Sequence, residues 1–221
     1  MCGIFCTSTF SRYIQLYHHN KSRGDFASGS VYVNNNDCYI RKNSQNHDPK
    51  TEGGWPWNND KKYDVYLGHV QAPTSSSRQV KSETTHPFEC GDWLVAHNGV
   101  LENFEEIKDS WFLDTHSNPV DSSIIPVLMN ELWVGNEVLC IKETCEKLKG
   151  TFACWIVNRE SKNIYLVRCG STLYMNAVRG EISSVKFTDL DQEVPEGKIY
   201  QLTSEGLAEV GEFETSSPFF I

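Results

Sequence analysis

The chain has 221 residues, 39% of them hydrophobic and 12% aromatic, enough to bury a sizeable core without disulfides or a structural metal. Its 29 acidic and 20 basic side chains give a formal charge of −9, and no Lys/Arg cluster tracks a phosphate backbone, which argues against nucleic-acid binding by charge. No run of about 18 apolar residues and no secretory leader occur, so the sequence reads as one soluble, cytoplasmic domain over residues 1–221, without a membrane partner.

The eight cysteines are scattered, with no CxxC pair, and Cys140 with Cys145 lacks a matching ligand pair. Reduced thiols fit this pattern better than a disulfide framework or a zinc site. The informative cysteine is Cys2, directly behind Met1 in Met1-Cys2-Gly3-Ile4-Phe5. Removal of Met1 would put a thiol and a free α-amine on one residue, titrating near about 8.5 and about 8, so that nucleophile and base share one carbon. A small buried residue at the start of a strand is the alternative.

Gly3 to Thr9 reads as that strand, and Ser11 to Asn20 as one or two helical turns around Tyr13, Ile14 and Tyr17. Lys21 to Gly29 is a turn-rich approach to a strand over Ser30 to Val33, which holds Arg23 at a strand end. The cluster Asn34-Asn35-Asn36-Asp37 closes a hairpin with Cys38 to Arg41. Residues 43–62 form a polar loop carrying Trp55 and Trp57, expected to fold back on the core or to cover a pocket or partner surface.

Asp64 to Gln71 and Asp92 to His97 are further strands, the second running into Asn98-Gly99, a pair that marks a tight turn with outward N–H groups. Three helices follow. Phe104 to Ser110 is capped by Asn103, Ser122 to Trp133 is capped by Asp121, and Glu137 to Lys149 is stopped by Gly150. The strands Thr151–Asn158, Asn163–Arg168, Thr172–Ala177, Glu181–Lys186 and Lys198–Leu202 complete the chain. Two strand-rich blocks around a helical middle predict an α+β fold of packed antiparallel sheets with helices outside.

Several separated motifs together resemble the class II glutamine amidotransferase domain of the N-terminal nucleophile (Ntn) hydrolases. The start Cys2-Gly3-Ile4 is similar to the family's processed terminus. Arg23-Gly24-Asp25 with Gly29 resembles its Arg-Gly-x-Asp-x-x-Gly element, with the acid placed differently. Gly68-His69-Val70-Gln71-Ala72-Pro73-Thr74 resembles its Gly-His-x-Arg-x-x-Thr strand. Thr85-His86-Pro87-Phe88, then His97-Asn98-Gly99 with Asn103, are similar to its His-Pro and His-Asn-Gly-x-x-x-Asn segments. Asp121-Ser122 stands where the family keeps an aspartate at a helix start, and Leu148 to Ala153 looks like its Leu-x-Gly-x-Phe-Ala strand. The likeness runs from residue 2 to about 178.

The resemblance implies a four-layer αββα sandwich of two antiparallel sheets that hydrolyses the side-chain amide of glutamine, with no cofactor and no metal. It makes Cys2 the nucleophile and places the Asn98 side-chain amide and the Gly99 N–H in the oxyanion hole. Asp121 would hold the substrate's α-ammonium and Arg23 would support the nucleophile strand, with Gln71, Thr74 and His86 in the substrate-binding set. No acceptor-binding motif is visible, so the ammonia is expected to pass to a separate synthase or transferase chain. An amidohydrolase acting on another γ-glutamyl compound, and a binding or regulatory module with the same fold, are the alternatives.

One departure bears on the substrate. The family's carboxylate-clamping arginine is replaced by Gln71, which brings hydrogen-bond donors but neither charge nor a two-pronged fork. Weaker binding of free glutamine is expected, unless Arg78 or Lys81 substitutes or the true substrate has no free carboxylate there. Restoring Gln71→Arg should lower KM for glutamine in a steady-state assay, and an unchanged KM would remove the clamp explanation.

Overall fold

The computed structural model describes residues 2–43, 63–72, 81–111, 113 and 118–215. Strand β1 (Gly3–Thr7) leads into helix α1 (Phe10–Asn20), strands β2 (Ala27–Val33) and β3 (Cys38–Asn43), and β4 (Val65–Gln71). Strands β5 (Phe88–Cys90) and β6 (Trp93–Leu101) precede α2 (Phe104–Ser110), α3 (Ile124–Glu131) and α4 (Glu137–Lys147). The remaining strands are β7 (Gly150–Asn158), β8 (Ile164–Cys169), β9 (Tyr174–Asn176), β10 (Glu181–Ser183), β11 (Gln192–Glu193), β12 (Lys198–Thr203) and β13 (Gly206–Glu212).

These strands make two sheets, ordered β11-β9-β10-β1-β4-β2-β3 and β13-β12-β8-β7-β6-β5, with antiparallel pairing throughout the named strands. The sheets pack face to face because alternate side chains point to opposite faces. From β1, Ile4 and Cys6 enter the space between the sheets, where they join Leu94 and Ala96 of β6 and Ala153, Trp155 and Val157 of β7. Phe5 points the other way, onto Tyr13, Leu16 and Tyr17 of α1. Trp93 and Val95 likewise face Ile124, Leu128 and Ile141 of α3 and α4. The order helix, sheet, sheet, helix is the αββα sandwich.

The helices form where the sequence gives them one apolar face and a start. In α1 the buried Tyr13, Leu16, Tyr17 and Asn20 repeat at helical spacing, and Thr9 caps the first turn by accepting from the Arg12 N–H. Asn136 does the same for α4, accepting from the Leu139 N–H at 3.0 Å. Asn103 stands at the start of α2 but its side chain does not cap it. Its amide instead donates to the Lys147 carbonyl and accepts from the Lys149 N–H, tying the end of α4 to the start of β7.

The Asn98-Gly99 turn is not formed. Strand β6 continues through both residues to Leu101, because β7 pairs with all of it, setting Asn98 opposite Ala153 and Gly99 opposite Phe152. The glycine serves close approach. Its φ is +155°, and a Cβ built there would stand 1.9 Å from the Thr151 carbonyl oxygen. Strand β2 begins at Ala27, earlier than expected, since its ladder with β4 extends to the pair Ala27 and Gln71. The loop tryptophans Trp55 and Trp57 lie outside the described residues. Among the described residues no helix is long and apolar enough to cross a membrane.

The two sheets are also joined by polar contacts. The Trp155 indole Nε1 donates to the buried Gly68 carbonyl at 3.0 Å, from β7 to β4. Trp155→Phe should cost about 1 kcal/mol of unfolding free energy, since it removes a buried hydrogen bond between the sheets, and urea denaturation followed by circular dichroism would measure it.

Candidate active site

The site is built around the first residue of the described chain. Strand alternation carries Cys2 to the same face as Ile4 and Cys6, the face between the sheets. Strand β1 pairs with β4 through Gly3 and Val70, so one further step of that register sets Cys2 beside Gln71. On its other edge β1 meets β10 and the residue that follows it, Ser184. Arg23, in the short 3-10 turn after α1, donates from Nε to the Cys2 carbonyl at 2.6 Å and lies 3.5 Å by Nη1 from the Ser184 carbonyl. Burial pulls the Arg23 guanidinium below its ordinary value, opposed by attraction to Cys2. The adjoining Gly24 has to be small, as a Cβ there would meet the Ala72 nitrogen at 2.4 Å.

Asn98 approaches from the opposite sheet. It shares the inward parity of Leu94 and Ala96, and its Nδ2 donates to the Ser184 hydroxyl at 3.3 Å. The same hydroxyl accepts the Ile4 N–H at 2.9 Å. Cys2, Arg23 and Asn98 therefore meet in one polar cluster, whose common member is Ser184.

Asp121 sits on the helix side of β6. Its Oδ2 accepts the Leu101 N–H at 2.9 Å and its Oδ1 accepts the Ser122 N–H at 2.8 Å, which fixes the carboxylate two residues beyond Gly99. The expected helix start is a 3-10 turn over Asp121–Ser123 that continues into α3. His97 of the same strand, β6, is buried on this helix side. Its Nε2 lies 3.2 Å from the Thr151 carbonyl, an obligate acceptor, so that nitrogen carries the proton. Its Nδ1 faces the Ser122 hydroxyl at 2.7 Å. Burial lowers the His97 pKa, while the Asp121 charge and the Thr151 carbonyl pull it back up.

Gln71 and His86 are enclosed, unlike open pocket walls. Gln71 is 1% exposed. Its Nε2 lies 3.4 Å from the Thr84 carbonyl, and among the described residues its Oε1 has no hydrogen-bond partner. His86 is buried with its ring centroid 3.9 Å from that of His69, and the His69 Nε2 lies 3.2 Å from the His97 carbonyl across the sheets. Thr74 and Arg78 lie outside the described residues. Among the described residues no group of His, Cys, Asp and Glu could hold a metal ion. Two positions of the polar cluster and its surroundings escaped the sequence. Ser184 reads there as one more strand residue, and the buried role of His97 is hidden within a motif.

Comparison with solved structures bears on the fold. A glutamine phosphoribosylpyrophosphate amidotransferase from B. subtilis superposes with a TM-score of 0.75 at 19% identity, covering 96% of this chain and 49% of the other. A glutamine aminotransferase class-II domain protein from Silicibacter pomeroyi gives 0.59 at 12% identity, over 97% of this chain and all of that one. The chain has the class II glutamine amidotransferase fold. In sequence, the chain is 29% identical over 134 residues to a 7-cyano-7-deazaguanine synthase of Saccharolobus solfataricus, covering 60% of this chain and 28% of the synthase. No family model matches. The domain thus spans well under half the length of that curated relative.

Because burial depresses the folded pKa of His97, the unfolded chain takes up the proton first as pH falls below the ordinary value of 6.5. Stability contributed at this residue is intact above that pH and is lost as pH falls towards the folded pKa. Urea midpoints between pH 7 and pH 5 should therefore drop more steeply for the wild type than for His97→Gln.

Proposed function

We propose that this domain hydrolyses the side-chain amide of glutamine to glutamate and ammonia, with Cys2 as nucleophile once Met1 is removed. The Cys2 thiol gives its proton to its own α-amine and the sulfur attacks the amide carbon, pushing the carbonyl electrons onto oxygen. The Asn98 amide and the Gly99 N–H receive that oxygen, at about 3 kcal/mol for each fixed donor in comparable sites. Collapse breaks the carbon–nitrogen bond as the α-ammonium returns its proton to the departing nitrogen, releasing ammonia and leaving a thioester. Water, deprotonated by the same amine, attacks the thioester, frees glutamate and restores the thiol.

The observation that carries this reading is the bridge from Asn98 through Ser184 to the Ile4 N–H, which couples an amide donor on one sheet to the strand behind Cys2 on the other. Arg23 supports the nucleophile by holding its carbonyl. Asp121, fixed beside the end of β6, is the proposed partner of the substrate's α-ammonium, with Thr74 and His86 in the surrounding set. The ammonia goes to a separate synthase or transferase chain, and a 7-cyano-7-deazaguanine synthase is the kind of partner that the relatives suggest.

Gln71 favours a second reading beside the first. Gln71 is buried with its nitrogen towards Thr84, and it brings no charge to meet a substrate carboxylate. A γ-glutamyl compound whose α-carboxylate is bound elsewhere or absent fits such a position. Glutamate release from glutamine compared with γ-glutamyl peptides separates the two substrates.

Treatment with diazo-oxo-norleucine should leave one adduct, on a chain lacking Met1, by intact-mass measurement. Cys2→Ala should abolish both the adduct and ammonia release. Undiminished ammonia production by Cys2→Ala would sink the mechanism, and a chain that keeps Met1 and takes no adduct would favour a binding module.

A further inference from the structure

Ser184 follows the last residue of β10 and is 1% exposed. In a regular antiparallel pair two facing residues exchange both backbone hydrogen bonds. Here only one is exchanged, as the Ser184 N–H donates to the Ile4 carbonyl at 2.9 Å. The Ile4 N–H goes instead to the Ser184 hydroxyl at 2.9 Å. The Ser184 carbonyl, displaced from the ladder, is approached by the Thr172 hydroxyl at 3.2 Å and by Arg23 Nη1 at 3.5 Å. A backbone acceptor has thus been exchanged for a side-chain one at the position beside the strand of Cys2.

The exchange has a consequence for Asn98. A serine oxygen has two acceptor lone pairs, and a backbone N–H is always a donor, so the Ile4 bond occupies one pair and leaves the other for Asn98 Nδ2. The nitrogen end of the Asn98 amide is anchored by one of its two hydrogens. The second remains for an incoming oxygen.

We propose that Ser184 is a positioning residue that orients the Asn98 side-chain amide towards the oxygen developing on the substrate of Cys2. This rests on the amide-hydrolysis reading above. Ser184 touches no reacting atom. It acts by holding Asn98 in register with β1, so that the donor needs no reorientation as charge appears.

The test is a double-mutant cycle on the full chain with glutamine as substrate, reading kcat, KM and the rate of Cys2 labelling by diazo-oxo-norleucine. Ser184→Ala should lower kcat about tenfold and leave KM within about twofold, since the lost interaction matters when charge develops. In an Asn98→Ala background the same change should alter kcat and labelling by less than about twofold, because the group it positions is gone. Ser184→Cys, nearly isosteric but a poor acceptor, should lower kcat in the same sense and serves if the alanine variant does not fold, as checked by thermal melting. Wild-type kcat in a folded Ser184→Ala or Ser184→Cys chain overturns the inference alone, as does an undiminished loss in the Asn98→Ala background. A wild-type chain that releases no ammonia and takes no label overturns the amide-hydrolysis reading and this inference with it.

Discussion

Everything in the site depends on the confinement of β1. It is the middle strand of a seven-stranded sheet, paired on one edge to β4 and on the other to β10, with apolar packing on both faces. A segment next to a chain terminus would ordinarily fray, because few contacts oppose its conformational entropy. Here each residue from Gly3 to Thr7 is buried, and the carbonyl of the preceding Cys2 is held by Arg23. The hydrophobic burial of Ile4, Phe5 and Cys6 stabilises the strand, and the polar bonds around it set the direction of its first residue.

Strand β6 shows how one sequence can serve two compartments. Its even positions, Leu94, Ala96 and Asn98, face the other sheet, while Trp93, Val95 and His97 face the helices. The period-two alternation of a strand therefore separates the amide that meets Ser184 from the imidazole that meets Ser122 and Thr151. Gly99 lets the strand pass close to Thr151 without a Cβ collision, so the helix-side scaffold and the interlayer face lie within one residue of each other.

Much of this was legible in the residues. The positions of β1, α1, the β2–β3 hairpin, β4, β7, β8 and β12 follow from apolar periodicity and turn clusters, and the layered α+β architecture follows from their order. The Asn98-Gly99 pair misled, because turn chemistry is local whereas the partner strand that straightens it lies more than fifty positions away, at Phe152 and Ala153. The strand β13 escaped because it is an edge strand with a mostly exposed side, where Glu209 and Glu212 are compatible with pairing only to β12. Within the site, Cys2, Asn98 and Arg23 were named from motifs and are joined through Ser184. That serine carried no signal, since its contacts span 86 and 180 positions. The arrangement of Gln71 was also invisible, because its amide nitrogen meets the carbonyl of Thr84, 13 positions on.

The thiols are distributed unequally through this architecture. Five of the eight, at Cys6, Cys140, Cys145, Cys154 and Cys169, are buried, and burial pushes the half-buried Cys38 up to about 11 and raises Cys90 as well. Electrophiles that react with thiolate therefore find little of it at those seven sulfurs near neutral pH. In effect the sandwich shields its own sulfur: alkylation and air oxidation of the interior are held back by packing.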